Sequence, residues 1–212
     1  MIVDAVRNNT LAIGIFALVC GAILAGTYQL TKQPIADAER AAAEKALLEI
    51  VPASRHNNDL LLDTVPVPEQ YWKTLGLKQG GDIHVARDGG KPVAIIVPSV
   101  TQEGYNGEIR LIVGINFDGT IAGVRAVKHG ETPGLGDKVD LRKSDWILEF
   151  NNTSLQNPAI AGWAVKKDGG EFDQFTGATI TPRAIVKQVL KTLQYFADDQ
   201  QRLNSLIEES TP

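Results

Sequence analysis

From residue 8 to residue 31 the chain carries no charged side chain, in the run NNTLAIGIFALVCGAILAGTYQLT. At ~1.5 Å per helical residue this length exceeds the ~30 Å hydrocarbon core of a bilayer. The pattern therefore predicts a membrane-spanning helix over residues 9–31, preceded by a short tail, residues 1–8. Tyr28 falls near one interface, and Gly14, Gly21, Ala25 and Gly26 are small residues of the kind that let helices approach closely. A cleaved signal peptide is the competing reading, because Ala25-Gly26-Thr27 loosely resembles a cleavage site. The uncharged run, however, is longer than the ~7–15 residues of a signal's apolar region. Asp4, Arg7 and Lys32 give the positive-inside rule little to act on. With so short a tail, an N-terminus inside and a C-terminal body outside is the simpler arrangement.

Beyond the span the pattern changes. QPIADAERAAAEKALLEIVP is rich in Ala, Glu, Lys, Arg and Leu and predicts a juxtamembrane helix over residues 32–52, with Pro34 in its first turn and Pro52 as its stop. Next come apolar runs broken by turn residues. HVARDGGKPVAIIV reads as a hairpin about Asp88-Gly89-Gly90, since glycine accepts the positive φ of tight turns. In EIRLIVGINFDGTIAGVRAV, Ile109, Leu111, Val113 and Ile115 alternate onto one face, Asp118-Gly119 turns, and Ile121 starts the return strand. WAVKKDGGEF suggests a third hairpin, and residues 151–160 an exposed loop. From Pro182 to Ile207, Ile185, Val189, Leu190, Leu193 and Phe196 recur at helical spacing, as expected of a helix packed by one stripe on a sheet. The expected fold is α+β: one transmembrane helix, then a mixed, largely antiparallel sheet with packed helices over residues 53–208, and a tail at 209–212.

Composition narrows the function. A length of 212 residues, 43% of them hydrophobic, suits one globular domain and one appendage. A formal charge of -4, without a dense Lys/Arg block, argues against a nucleic-acid partner. Cys20 is the only cysteine, which excludes an internal disulfide. With only His56, His84 and His129 present, no serine-histidine-acid spacing supports a hydrolase. His129 and Glu131 alone are too few ligands for a metal site.

The segment DQFTGATITP, residues 173–182, has two readings. In one it is a plain helix start, with Thr181 as cap and Pro182 at the first position. In the other, Thr179, beside the small Gly177 and Ala178, presents its hydroxyl where the first helix amides favour an anion, which suits it to carry a phosphate.

Asp173-Gln174-Phe175-Thr176-Gly177-Ala178-Thr179 resembles the D-x-x-[S/T]-G-A-T sequence at which a flavin transferase attaches FMN by a phosphoester to the last threonine. GYNGEIRLIVGINFDGTIAGVRAVKHGETPGLG, residues 104–136, resembles the other half of the FMN-binding domain family, where a G-Y-x-G turn, a V-G-I-x-x-D-G-x-I hairpin and an H-x-E-T-P-G-L-G loop recur. The likeness covers almost the whole chain and is greatest to the G subunits of Rnf (Rsx) electron-transport complexes. The C subunit of the sodium-pumping NADH:quinone reductase is similar but typically longer, with serine more usual where Thr176 stands.

The resemblance implies one covalent FMN per chain, on Thr179, and an electron-carrying subunit with no complete catalytic site of its own, acting between ferredoxin and NAD coupled to ion transport. Its implied partners are the integral and peripheral subunits of the complex and, during maturation, a flavin transferase. Its implied place is the bacterial inner membrane, single-pass, N-terminus cytoplasmic and domain periplasmic. Further cofactor contacts are expected from Thr176, Gly177, Ala178, Thr181, His129, Glu131, Thr132, Gly134 and Leu135, with Asp173 serving recognition by the transferase. Tyr105 and Trp146 are candidates to flank the ring or to be core, and Lys166 and Lys167 to approach the phosphate or to be solvated. Two other classes stay open: a redox-silent flavin- or phosphate-binding module, and a structural subunit that clamps partners together.

Overall fold

A computed structural model describes residues 2–209; the last three residues of the expected C-terminal tail lie outside them. The chain divides into two compact units, Met1–Ala43 and Glu44–Pro212. Helix α1, Ile2–Ile50, supplies the described part of the first. It is long and apolar enough to cross a membrane and suggests a membrane anchor. Leu18 is 75% exposed and Phe16 70%, so these side chains find no cover within the unit. Pro34, expected in the first turn of a separate helix, lies inside α1.

The second unit is an antiparallel meander. Strands β1 (Thr64–Pro66), β2 (Asp82–Asp88), β3 (Lys91–Gly104), β4 (Gly107–Asn116) and β5 (Ile121–Lys128) pair in chain order. Helix α2, Glu69–Leu75, connects β1 to β2, and α3, Ile180–Glu209, closes the fold. The α+β expectation holds. Two of the three expected hairpins form: Gly89 and Gly90 turn β2 into β3 at φ 57° and 81°, and Gly119 turns β4 into β5 at φ 85°.

Alternation sorts the strand residues onto two faces. Ile109, Leu111, Val113 and Ile115 point into the main core with Ile95 and Val97, beneath α3. Ala94 and Ile96 point the other way, into a second cluster with Leu47, Ile50, Val51 and Leu60. The end of α1 thus covers the back of the sheet, where paired Gly114 and Gly123 leave a notch for Ile50. A Cβ on Gly114 would lie 2.1 Å from Ile50 Cγ2.

Helix α3 is buried more widely than one stripe. Ile185, Val189, Leu193 and Phe196 are core, as the spacing predicts, and so are Val186, Tyr195 and Leu203. Gln188 and Thr192 are buried too, because both bond the buried Ser99 hydroxyl of β3 at 2.8 Å. The third hairpin does not form. Lys166–Asp168 is a 3-10 turn, and Val165 meets Phe172 in a parallel bridge. Both side chains are buried, so the chain circles back into the core and does not fold flat. Residues 151–160 form a loop that is only partly exposed: Ser154 and Pro158 are buried.

Candidate functional site

Three segments distant in sequence meet at the start of α3. The first is the β3–β4 hairpin tip, whose two-residue turn Tyr105-Asn106 joins Gly104 to Gly107. The second is the loop from His129 to Gly136, folded on itself because the Leu135 and Gly136 N–H groups both donate to the Thr132 carbonyl at 3.1 Å. Gly134, at φ 77°, gives this loop its left-handed step. The third is the turn Phe175–Ala178, closed by Ala178 N–H donating to the Phe175 carbonyl at 3.1 Å, with Gly177 at φ 81° in the position that demands it.

Between them lies a cavity of about 260 Å³, lined by Tyr105, Glu131, Thr132, Leu135, Gly136 and the stretch Gly177 to Thr181. Its rim is apolar: Tyr105, Leu135 and Ile180 are 66%, 43% and 46% exposed and line one opening together. Its floor is polar, formed by Glu131 and Thr181, both buried.

Thr179 immediately precedes α3 and is half-buried against this cavity. No hydrogen bond to its hydroxyl occurs among the described residues, whereas its carbonyl accepts the Arg183 N–H at 3.3 Å. The first amides of a helix have no intrahelical partner, and their dipoles favour an anion at this end. Gly177 and Ala178 leave the approach clear.

The helix start differs from the expected one. Ile180, not Pro182, is the first helical residue, and Pro182 falls within the first turn, where a missing N–H leaves no bond broken. Thr181 does not cap: its hydroxyl donates to Glu131 Oε2 inside the fold. The other expected contacts divide. Thr132, Leu135, Glu131, Gly177, Ala178, Thr179 and Thr181 line the cavity. Thr176 sits exposed on the turn, Gly134 on the outer side of its loop, and His129 stands behind it, accepting the Glu131 N–H through Nδ1 at 3.3 Å. Tyr105 faces the cavity, whereas Trp146 is core, edge-on to Phe175 at 5.0 Å.

Asp173 lies outside the cavity and is held at three points. Trp146 Nε1 donates to its carbonyl at 2.8 Å, its N–H donates to Glu149 Oε2 at 2.9 Å, and its carboxylate pairs with Lys166. Lys166 is therefore turned to Asp173, and Arg183 pairs with Asp168 at 2.6 Å. The Asp173 carboxylate holds the Lys166 ammonium above its usual range, and burial pushes the Glu149 carboxyl up. Sequence reasoning missed Asn106 and Ile180 as parts of the site. Asn106 was legible only as a hairpin residue, and Gly136 owes its role to tertiary contact: a Cβ there would lie 2.7 Å from Glu131 Oε2.

The chain matches the FMN-binding domain over residues 104–194, a range that contains every residue lining the cavity, and the RnfG N-terminal region over residues 1–50. The G subunit of the ion-translocating oxidoreductase complex of Pseudomonas aeruginosa is 47% identical over 196 residues, covering 92% of this chain and 91% of that one. Its counterpart in Shewanella loihica is 45% identical over 199 residues, with 94% and 93% covered. That of Vibrio atlanticus is 43% identical over 200 residues, with 94% of each covered. The chain therefore belongs to the family of G subunits of ion-translocating oxidoreductase complexes, and its cavity to an FMN-binding domain.

Proposed function

We propose that this chain is a membrane-anchored electron carrier that holds one FMN by a phosphoester to Thr179 and serves electron transfer between ferredoxin and NAD coupled to ion transport. The observation that carries this reading is the Thr179 hydroxyl. It has no hydrogen-bond partner among the described residues, stands at the head of a 30-residue helix, and lines the cavity inside the FMN-binding domain. The residues present fit the cofactor. The free amides at the start of α3 suit a phosphate, Gly177 and Ala178 give it room, and Tyr105, Leu135 and Ile180 offer apolar surface to a flat ring. At about 260 Å³ the cavity is smaller than the ~300 Å³ at which pockets begin to enclose a drug-sized ligand. A tricyclic ring would not be wholly enclosed there, which would suit electron exchange with a redox partner. When bound, FMN supplies the one-electron chemistry; the chain supplies attachment, position and the local field.

In this reading the domain lies on the periplasmic side of a bacterial inner membrane, with the N-terminus cytoplasmic, among the other subunits of its complex. A flavin transferase loads it during maturation, reading the segment that Asp173 begins. The chain co-produced with such a transferase is expected to keep its flavin fluorescence in a denaturing gel. Thr179→Ala is expected to lose that fluorescence and Thr176→Ala to keep it. A fluorescent Thr179→Ala band, or a dark wild-type band, contradicts the proposal.

A further inference from the structure

Glu131 is an acidic side chain only 5% exposed, set in the wall of a cavity. Its two oxygens reach different elements. Oε1 accepts the Asn106 backbone N–H at 3.1 Å, at the tip of the β3–β4 hairpin. Oε2 accepts the hydroxyl proton of Thr181, fully buried in the first turn of α3. The Asn106 N–H can only donate and the Thr181 hydroxyl donates to Oε2, so both oxygens accept.

The backbone is bare where this carboxylate lies. A Cβ on Gly104 would come within 2.8 Å of Oε1, and one on Gly136 within 2.7 Å of Oε2 and 2.9 Å of the Thr181 hydroxyl oxygen. Only glycine fits at either place. Burying a carboxylate opposes folding unless its bonds are met, and an apolar side chain would fill this volume without that penalty. Packing alone therefore does not account for Glu131. It is also the only acidic side chain among the described residues lining the cavity.

We infer that Glu131 is the positioning residue of the site: it pins the start of α3 to the hairpin tip, fixes Thr179 at the cavity wall, and gives the cavity its one acidic group. The clamp stands on the contacts alone. Its consequences for attachment and potential rest on the FMN reading above. A negative group in the wall opposes the arrival of an electron beside it, so removing its charge makes a bound electron acceptor easier to reduce.

Three full-length variants, each made with and without a flavin transferase, separate these roles. Glu131→Gln keeps the clamp without the charge, since its carbonyl oxygen still accepts from Asn106 and its amide donates to Thr181, whose hydroxyl turns to accept. Glu131→Ala leaves the Asn106 N–H and the Thr181 hydroxyl unpaired. Thr181→Val removes only the α3 half of the clamp at nearly constant volume.

In the flavin-free chain, Glu131→Ala is expected to speed amide exchange at both Asn106 and the first turn of α3. Thr181→Val is expected to do so at α3 alone, and Glu131→Gln at neither. Flavin loading, read by intact mass, is expected to fall several-fold in Glu131→Ala and to be rescued by Glu131→Gln, while the midpoint potential of loaded Glu131→Gln shifts positive. Wild-type exchange at both segments in Glu131→Ala overturns the clamp, and an unmoved potential in Glu131→Gln overturns the acidic role. Should the wild-type chain take no flavin, the FMN reading falls, and the exchange experiment still decides the clamp.

Discussion

Thr179 differs from its neighbouring threonine in what its hydroxyl already does. Thr181 spends its proton on Glu131, whereas the Thr179 hydroxyl makes no hydrogen bond among the described residues. Thr179→Ala therefore removes a reactive group and little else, and is expected to change stability by no more than about 0.5 kcal/mol in denaturant unfolding. Glu149 is one residue for which pH matters, in the opposite sense to the ion-paired carboxylates Glu103 and Asp168. Burial raises its carboxyl, so the fold holds that proton more firmly than the unfolded chain does. The Glu149 contribution to stability then falls as pH rises from the ordinary carboxylate range through the raised folded value, and is level beyond it. Glu149→Gln, which still accepts the Asp173 N–H, is expected to match the wild type in acid and exceed it at neutral pH. Urea unfolding across that interval checks this, and equal stability throughout contradicts it. Glu149 did not stand out in the sequence. The TGAT stretch marked Thr179 by its small neighbours, but nothing in the chain links Glu131 to Thr181 across 50 positions; that bond exists only because a hairpin, a loop and a helix start converge.

The elements divide by how much periodic sequence each contains. Strands β2 to β5 and helix α3 were legible because alternation or helical spacing runs through them and glycines mark their turns. Strand β1, three residues ending in Pro66, and α2, seven residues after Pro68, are too short to show a period. Asp168-Gly169-Gly170 carries the same turn chemistry as Asp88-Gly89-Gly90, yet only the latter makes a hairpin. Burial decides it: Phe172 stacks on Phe150 at 4.8 Å and Val165 is core, so packing overrides the local signal. The joint between the end of α1 and the sheet was equally hidden, since a glycine pair on adjacent strands has no pattern in one strand. Gly114→Ala is expected to destabilise the domain by about 1–3 kcal/mol by overpacking against Ile50. Ile50→Ala is expected to lose about 2–5 kcal/mol by leaving a cavity. The double variant should be less destabilised than the sum of the two, and strict additivity in a double-mutant cycle contradicts the notch.

For the molecule as a whole, the division at residue 44 has a practical consequence. Leu47, Ile50 and Val51 belong to the cluster behind the sheet, although α1 also contains the apolar span. A fragment starting at Glu44 keeps these side chains, and one starting at Ala53 loses all three. The longer fragment is expected to fold and the shorter to melt well below it in a thermal scan; equal melting contradicts the role given to the end of α1. In the proposed reading, the anchor keeps the chain at the membrane while the cavity, with its apolar rim and a threonine hydroxyl that has no bond among the described residues, holds the electron carrier. That account turns on one covalent bond. Full-length protein made with a flavin transferase, beside Thr179→Ala, should be weighed intact and its peptides mapped. The account requires the mass of one FMN less water on the peptide bearing Thr179, absent from the variant. An unmodified wild-type chain, or a flavin retained at another residue in Thr179→Ala, contradicts it.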